Sequence, residues 1–290
     1  MRKYLSLLLL ILVFTVQSAA QVVKTISVTS AGSLTELLTA TEKNTVTDLT
    51  ITGNLDARDF KCLRDELSVL SVLDLTNVSI VAYSGNDGTF PTSWGFAEYP
   101  ENEFPKYAFN KDVAYGKLSL NKVVLPLSIN VIGISAFQYC ANLTDVNLPV
   151  SLTTIGNNAF YACTNLKNFI VPDNVTSIGS SAYQFCHAIT SITFGSRLNE
   201  IGNYAFYECH NLKIIDCKNT YAPVLYDNTF GFTYLSMVYV PAQSINTYRS
   251  ANGWKLLNIG SSTLITINNA SAGSLKSAFT SQTQVPLSSI

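Results

Sequence analysis

The stretch TIGNNAFYAC, residues 154–163, decides the fold of this chain, because three others repeat it without a gap. They are VIGISAFQYC (131–140), SIGSSAYQFC (177–186) and EIGNYAFYEC (200–209), each step being 23 residues. Ile155, Gly156, Ala159, Phe160 and Cys163 each head a column; the Cys column, for example, reads Cys140, Cys163, Cys186 and Cys209. A second pattern follows each stretch: Leu143xxVal146xLeu148, Leu166xxPhe169xVal171, Ile189xxIle192xPhe194 and Leu212xxIle215xCys217. It extends upstream to Leu120xxVal123xLeu125 and downstream to Leu235xxVal238xVal240, so six strand units share one period.

Alternating apolar residues make a short strand with one buried face. Pro126, Pro149, Pro172 and Pro241 lack an N–H and end four of these strands. The Ala-aromatic-x-x-Cys spacing predicts one short helical or 3₁₀ turn with its ring in the core. A single coil cannot bury its apolar side, whereas stacked coils can. The pattern therefore predicts a solenoid.

The unit IGxxAFxxCxxLxxVxLP resembles the BspA-type leucine-rich-repeat family, over roughly residues 22–260. The resemblance implies an α/β repeat solenoid with 23-residue coils, a mainly parallel strand ribbon, short helical turns and helical caps. It also implies a secreted or surface protein of an anaerobic Gram-negative bacterium. Family members are associated with adhesion to host matrix proteins such as fibronectin and fibrinogen.

The flanks complete the organisation. Arg2, Lys3, an apolar run over 5–16 and Ser18-Ala19-Ala20 predict a signal peptide at 1–20. The run is shorter than the ~20 residues of a membrane span, so no membrane insertion is expected after cleavage. Residues 21–82 read as a capping unit, with strands at 47–53 and 71–77, a helix at 56–67 capped by Asp56 and another at 33–42 starting at Ser33. Residues 83–107 form an aromatic-rich insertion, 108–241 the solenoid and 242–260 a closing segment with Tyr248 and Trp254 on a short helix. The tail, 261–290, repeats Ser-Ala-Gly-Ser-Leu from 30–34 and reads as a truncated second unit.

No catalytic motif is present, and no cofactor or metal is expected. The Cys column favours buried thiols over a disulfide or a zinc site, for which a 23-residue spacing is wrong. His187 and His210, also 23 apart, could stack, but the sequence fixes no acidic ligand beside both. Removing Arg2 and Lys3 takes the net charge from −1 to −3, which excludes a basic nucleic-acid footprint. A monomeric, non-enzymatic binding protein is expected, with protein or surface-glycan partners. The candidate binding face comprises Asn121, Thr144, Asn147, Lys167, Ile170, Thr190, Thr193, Lys213 and Asp216. The candidate binding loop holds Phe90, Trp94, Phe96 and Tyr99, unless these rings pack back over the first coils.

Overall fold

A computed structural model describes residues 21–91, 93, 95–112 and 115–261. The signal-peptide and second-unit assignments at the two ends, and Trp94, lie outside the described residues.

The coils stack as predicted, and each contributes to two parallel ribbons. One holds the strands of the Leu-x-x-Val-x-Leu pattern, such as Asp145–Asn147, Ser191–Phe194 and Ile214–Cys217. The other runs through two-residue strands ending at the repeated Ile: Val131–Ile132, Thr154–Ile155, Ser177–Ile178 and Glu200–Ile201. It extends beyond the four conspicuous repeats, to Glu103–Phe104 at one end and Val224–Leu225 at the other. The solenoid thus begins at 103, inside the stretch expected to be insertion. Phe104 and Phe109 lie fully in its core. A small hairpin, Asn110–Asp112 with Tyr115–Gly116, lengthens this first coil and hides its period.

The turn between the ribbons has a regular backbone. Two residues per coil take left-handed φ, four apart: Ser135 and Tyr139, Asn158 and Ala162, Ser181 and Phe185, Tyr204 and Glu208. A helix is thereby excluded. Alternate N–H groups bond within the coil, as Cys163 to Phe160 O at 3.1 Å, and across it, as Phe160 to Ala182 O at 2.7 Å. Gly156 is needed because a Cβ there would sit 2.7 Å from the Ile132 carbonyl oxygen of the coil before.

Aromatic rings of successive coils form a spine. Phe104, Phe137, Phe160, Tyr183, Phe206 and Phe230 stack in order at 5.0–5.5 Å, with planes within 20° of parallel. The cysteines line the same core. Their Sγ atoms donate to carbonyls of the preceding coil, at 3.1 Å for Cys163 to Phe137 and 3.2 Å for Cys186 to Phe160. All six thiols are free and buried. Burial pushes the Cys140 and Cys209 thiols up to about 12. A thiolate is the reacting species, so the native chain is expected to resist a disulfide reagent at pH 8 and to titrate six thiols once unfolded in guanidinium. Rapid labelling of a ladder thiol in the native protein would contradict this packing.

The capping unit pairs Val23–Val28, Asp48–Leu55 and Val72–Ile80 in parallel and continues into Lys122–Val124. The helix Ala57–Asp65 is capped by Asp56, as expected. The expected helix at 33–42 is broken instead. Leu34–Glu36 makes one tight turn, and Thr39 starts a new helix, Ala40–Thr45, with a reciprocal Thr39–Glu42 cap. Thr39 competes successfully because its own side chain and that of Glu42 satisfy two orphan donors. Ser33 donates to Ser30 O and caps nothing.

At the far end Tyr248 lies on the helix Ile245–Ser250, while Trp254 sits on a separate turn after Gly253, whose φ is 79°. Both rings are fully buried and meet edge to face at 5.1 Å.

Candidate binding surfaces

The nine strand-face candidates all reach the surface. Asn121, Asn147, Lys167, Ile170, Thr190 and Lys213 are exposed; Thr144, Thr193 and Asp216 are half-buried. They lie on one face because the intervening column, Val123, Val146, Phe169, Ile192, Ile215 and Val238, points inward.

That face is interrupted. Asp145–Asn147 ends one sheet and Phe169–Ile170 begins another, so these strands do not pair across their shared seam. The last bond before the break runs from Lys167 N to Thr144 O at 3.2 Å. Two residues set the coil beside the break apart from its neighbours. Phe169 stands where other coils carry Val or Ile, and its ring stacks on Tyr183 at 4.7 Å. Asn168 folds its side chain over the next coil, and Oδ1 accepts from Thr190 N at 2.7 Å and Ser191 N at 3.0 Å. In a neighbouring coil a backbone oxygen, Thr190 O, receives the equivalent pair from Lys213 and Ile214.

The result is an open groove of about 310 Å³ lined by Lys122, Thr144, Asp145, Val146, Leu166, Lys167, Asn168 and Phe169. Lys122 and Asp145 pair on its wall at 3.1 Å. A second hollow, about 450 Å³, follows between Leu148, Val150, Ile170 and Lys218. Val150 is 79% and Ile170 63% exposed beside it. Sequence reasoning missed Val150 and the seam, although Phe169 stands out in its column as the one residue that is not β-branched.

The expected binding loop is corrected by the structure. Tyr83–Gly85 pairs with Ala97–Tyr99 as an antiparallel hairpin. Tyr99 is buried with Ala97 against Ala57, and its hydroxyl accepts from Phe90 N at 2.6 Å. Phe90 is half-buried and meets Tyr107 edge to face at 5.5 Å. Arg64 ties the hairpin and first coil to the capping helix, donating to Thr89 O at 2.7 Å and Tyr107 O at 3.0 Å. These rings therefore pack inward because they close a gap between cap and solenoid. Phe96 alone among the described candidates of this loop is largely exposed, at 62%.

Lys117 lies at the same junction, buried, with Nζ donating to Leu67 O at 2.5 Å and Arg64 O at 3.3 Å. Burial lowers its pKa to about 8.

A family model described as a BspA type leucine-rich repeat region matches residues 102–236 in six copies. The solenoid belongs to that family. The match is narrower than 22–260 and starts where the structure starts the coils. Among solved structures, the chain is similar to a T. pallidum leucine-rich repeat protein, with 28% identity over 48% of this chain and 64% of that one, and a TM-score of 0.40. It is also similar to a Bacteroides ovatus leucine-rich repeat protein, with 22% identity, 50% and 48% coverage and a TM-score of 0.36. The pneumococcal vaccine antigen PcpA gives 21% identity, 76% and 57% coverage and a TM-score of 0.43. The chain thus spans less than two thirds of each relative's length. No curated protein matches it.

Leucine-rich-repeat proteins are generally binding scaffolds that mediate protein interactions, and BspA-type members are typically surface or exported proteins. No described helix is long and apolar enough to cross a membrane.

Proposed function

We propose that this chain is an exported, non-enzymatic binding module that engages a partner protein through its exposed strand face, in cell-surface adhesion or host-protein interaction. One observation carries the reading: the strand ladder opens between two coils on that face. The opening sets Ile170 and Val150, 63% and 79% exposed, beside unpaired strand edges, within a strip that is mostly polar. Exposed apolar side chains at a concave break are favoured anchors, and free strand edges offer backbone hydrogen bonds to an extended segment. Lys167 at the groove and Lys213 on the same strip favour an acidic segment.

The test is a binding screen of the full chain against extracellular matrix proteins and a glycan array. A protein partner held on this face should lose at least about tenfold in affinity, ~1.4 kcal/mol, on Ile170→Asn and on the Lys167→Glu/Lys213→Glu pair. Phe96→Ala should leave it unchanged. A glycan hit that depends on Phe96 would replace this reading with glycan capture at the hairpin. Absence of binding in both screens would leave a structural scaffold.

A further inference from the structure

The stacking that builds the core also brings together three side chains that the strand-face reading does not use. His187 and His210 occupy equivalent places in successive coils, each directly after a ladder cysteine. Cys186 and Cys209 are pinned inward by bonds to Phe160 O and Tyr183 O, at 3.2 and 3.1 Å, so the residue after each emerges in the same register. The two imidazoles stack at 5.3 Å with planes 20° apart. Glu208 lies on the other side of Cys209, two residues from His210, and its backbone is left-handed at φ 58°. Its Oε2 comes within 3.7 Å of His210 Nε2. The sequence could not place this carboxylate; the turn geometry does.

The donor atoms are prepared. His210 Nδ1 lies 3.1 Å from Phe232 O, a contact that only an N–H can make favourable. With the N–H on Nδ1, the neutral ring carries its lone pair on Nε2, the nitrogen that faces Glu208. His187 Nε2 is buried and has no hydrogen-bond partner, a cost that a ligand would relieve. One ligand atom from each of His187, Glu208 and His210 lies within 4.8 Å of the other two. Metal–ligand bonds of about 2.0–2.2 Å require these atoms to close by roughly 1 Å, which rotations of half-buried side chains supply. Two imidazoles and one carboxylate suit a borderline divalent ion and leave positions for water.

We propose that His187, Glu208 and His210 form a site for a divalent transition-metal ion of the Zn²⁺ type, which clamps two adjacent coils together. Because its ligands come from two coils and the unfolded chain does not preassemble them, binding stabilises the stack.

The chain has two histidines, both in this cluster, so untagged protein contains no competing imidazole site. Calorimetric titration of the full, tag-free chain with ZnCl₂ should give one ion per chain. The melting temperature should rise by about 5–10 °C at a hundredfold excess over Kd and fall back with EDTA. His187→Gln and His210→Gln should each weaken binding at least about tenfold, and Glu208→Gln should weaken it too. These side chains lie outside the core, so circular dichroism of the variants should match the parent. Co²⁺ in place of Zn²⁺ should show d–d absorption without thiolate charge transfer. The proposal is overturned by the absence of stoichiometric binding. Binding that survives the double histidine variant, or a thiolate charge-transfer band, would overturn it equally, by placing the ion on the cysteines.

Discussion

Phe160→Ala is expected to lower the unfolding free energy by about 3–5 kcal/mol, the usual range for a buried ring truncated to a methyl. Phe160 is 1% exposed and stacks on two rings, Phe137 and Tyr183, each at 5.1 Å. Its position makes the loss more than an ordinary cavity. The interface between Phe137 and Phe160 belongs to the two coils whose strands Asp145–Asn147 and Phe169–Ile170 fail to pair. Across that seam the coils are held by the short pairing of Val131–Ile132 with Thr154–Ile155, by turn hydrogen bonds and by the spine. Coils touch only their neighbours, so a weakened interface cannot be supported from elsewhere. Guanidinium unfolding followed by circular dichroism should show the loss, with the transition broadening or splitting into two. A loss below about 1 kcal/mol would mean that the spine does not hold this interface.

Trp254→Ala is expected to cost a similar amount, about 3–5 kcal/mol, with a different distribution. Trp254 is fully buried, and its Nε1–H donates to Pro223 O at 2.7 Å. It closes the spine edge to face on Phe230 at 5.9 Å and braces Tyr248 at 5.1 Å. Truncation opens the last coil to water and strands the Pro223 carbonyl. Hydrogen exchange should therefore rise over 224–261 first, while amides of Asp48–Leu55 and Val72–Ile80 keep their protection. Uniform loss of protection would show that the end plug and the N-terminal unit unfold as one body. Trp254→Phe keeps a ring and loses the N–H, so it should cost about 1 kcal/mol.

Both effects rest on columns that are visible in the sequence. Phe137, Phe160, Tyr183 and Phe206 recur every 23 residues, and so do the ladder cysteines; their inward direction follows from the repeat. The flanking coils were harder to see. Phe104-Pro105-Lys106-Tyr107-Ala108-Phe109 lacks the glycine and is followed by a hairpin that shifts the count. Leu225-Tyr226-Asp227-Asn228-Thr229-Phe230 replaces glycine by Tyr226 and alanine by Thr229. Both still place a ring in the spine, because the coil beside each dictates the backbone.

The candidate binding face was legible as columns and illegible as a shape. Asn147, Lys167 and Ile170 are correctly outward, yet nothing in a list of outward residues says that the ladder breaks between them. The sequence left open whether the rings of the insertion bind or pack back, and Tyr99 is buried: whether an aromatic side chain anchors a ligand or fills a gap depends on what it faces.

The sequence alone determined the period, the core columns and the helix beginning at Asp56, since each follows from local spacing and from burying one side of every coil. Only the tertiary structure decided the second ribbon, whose strands are two residues long and exist because a neighbouring coil supplies their partners. It also decided the seam at Phe169, the inward packing of the hairpin and the meeting of His187 with Glu208 and His210. These depend on how coils fit against one another, and that fit is set by side-chain volume and backbone direction across the stack rather than by order along the chain.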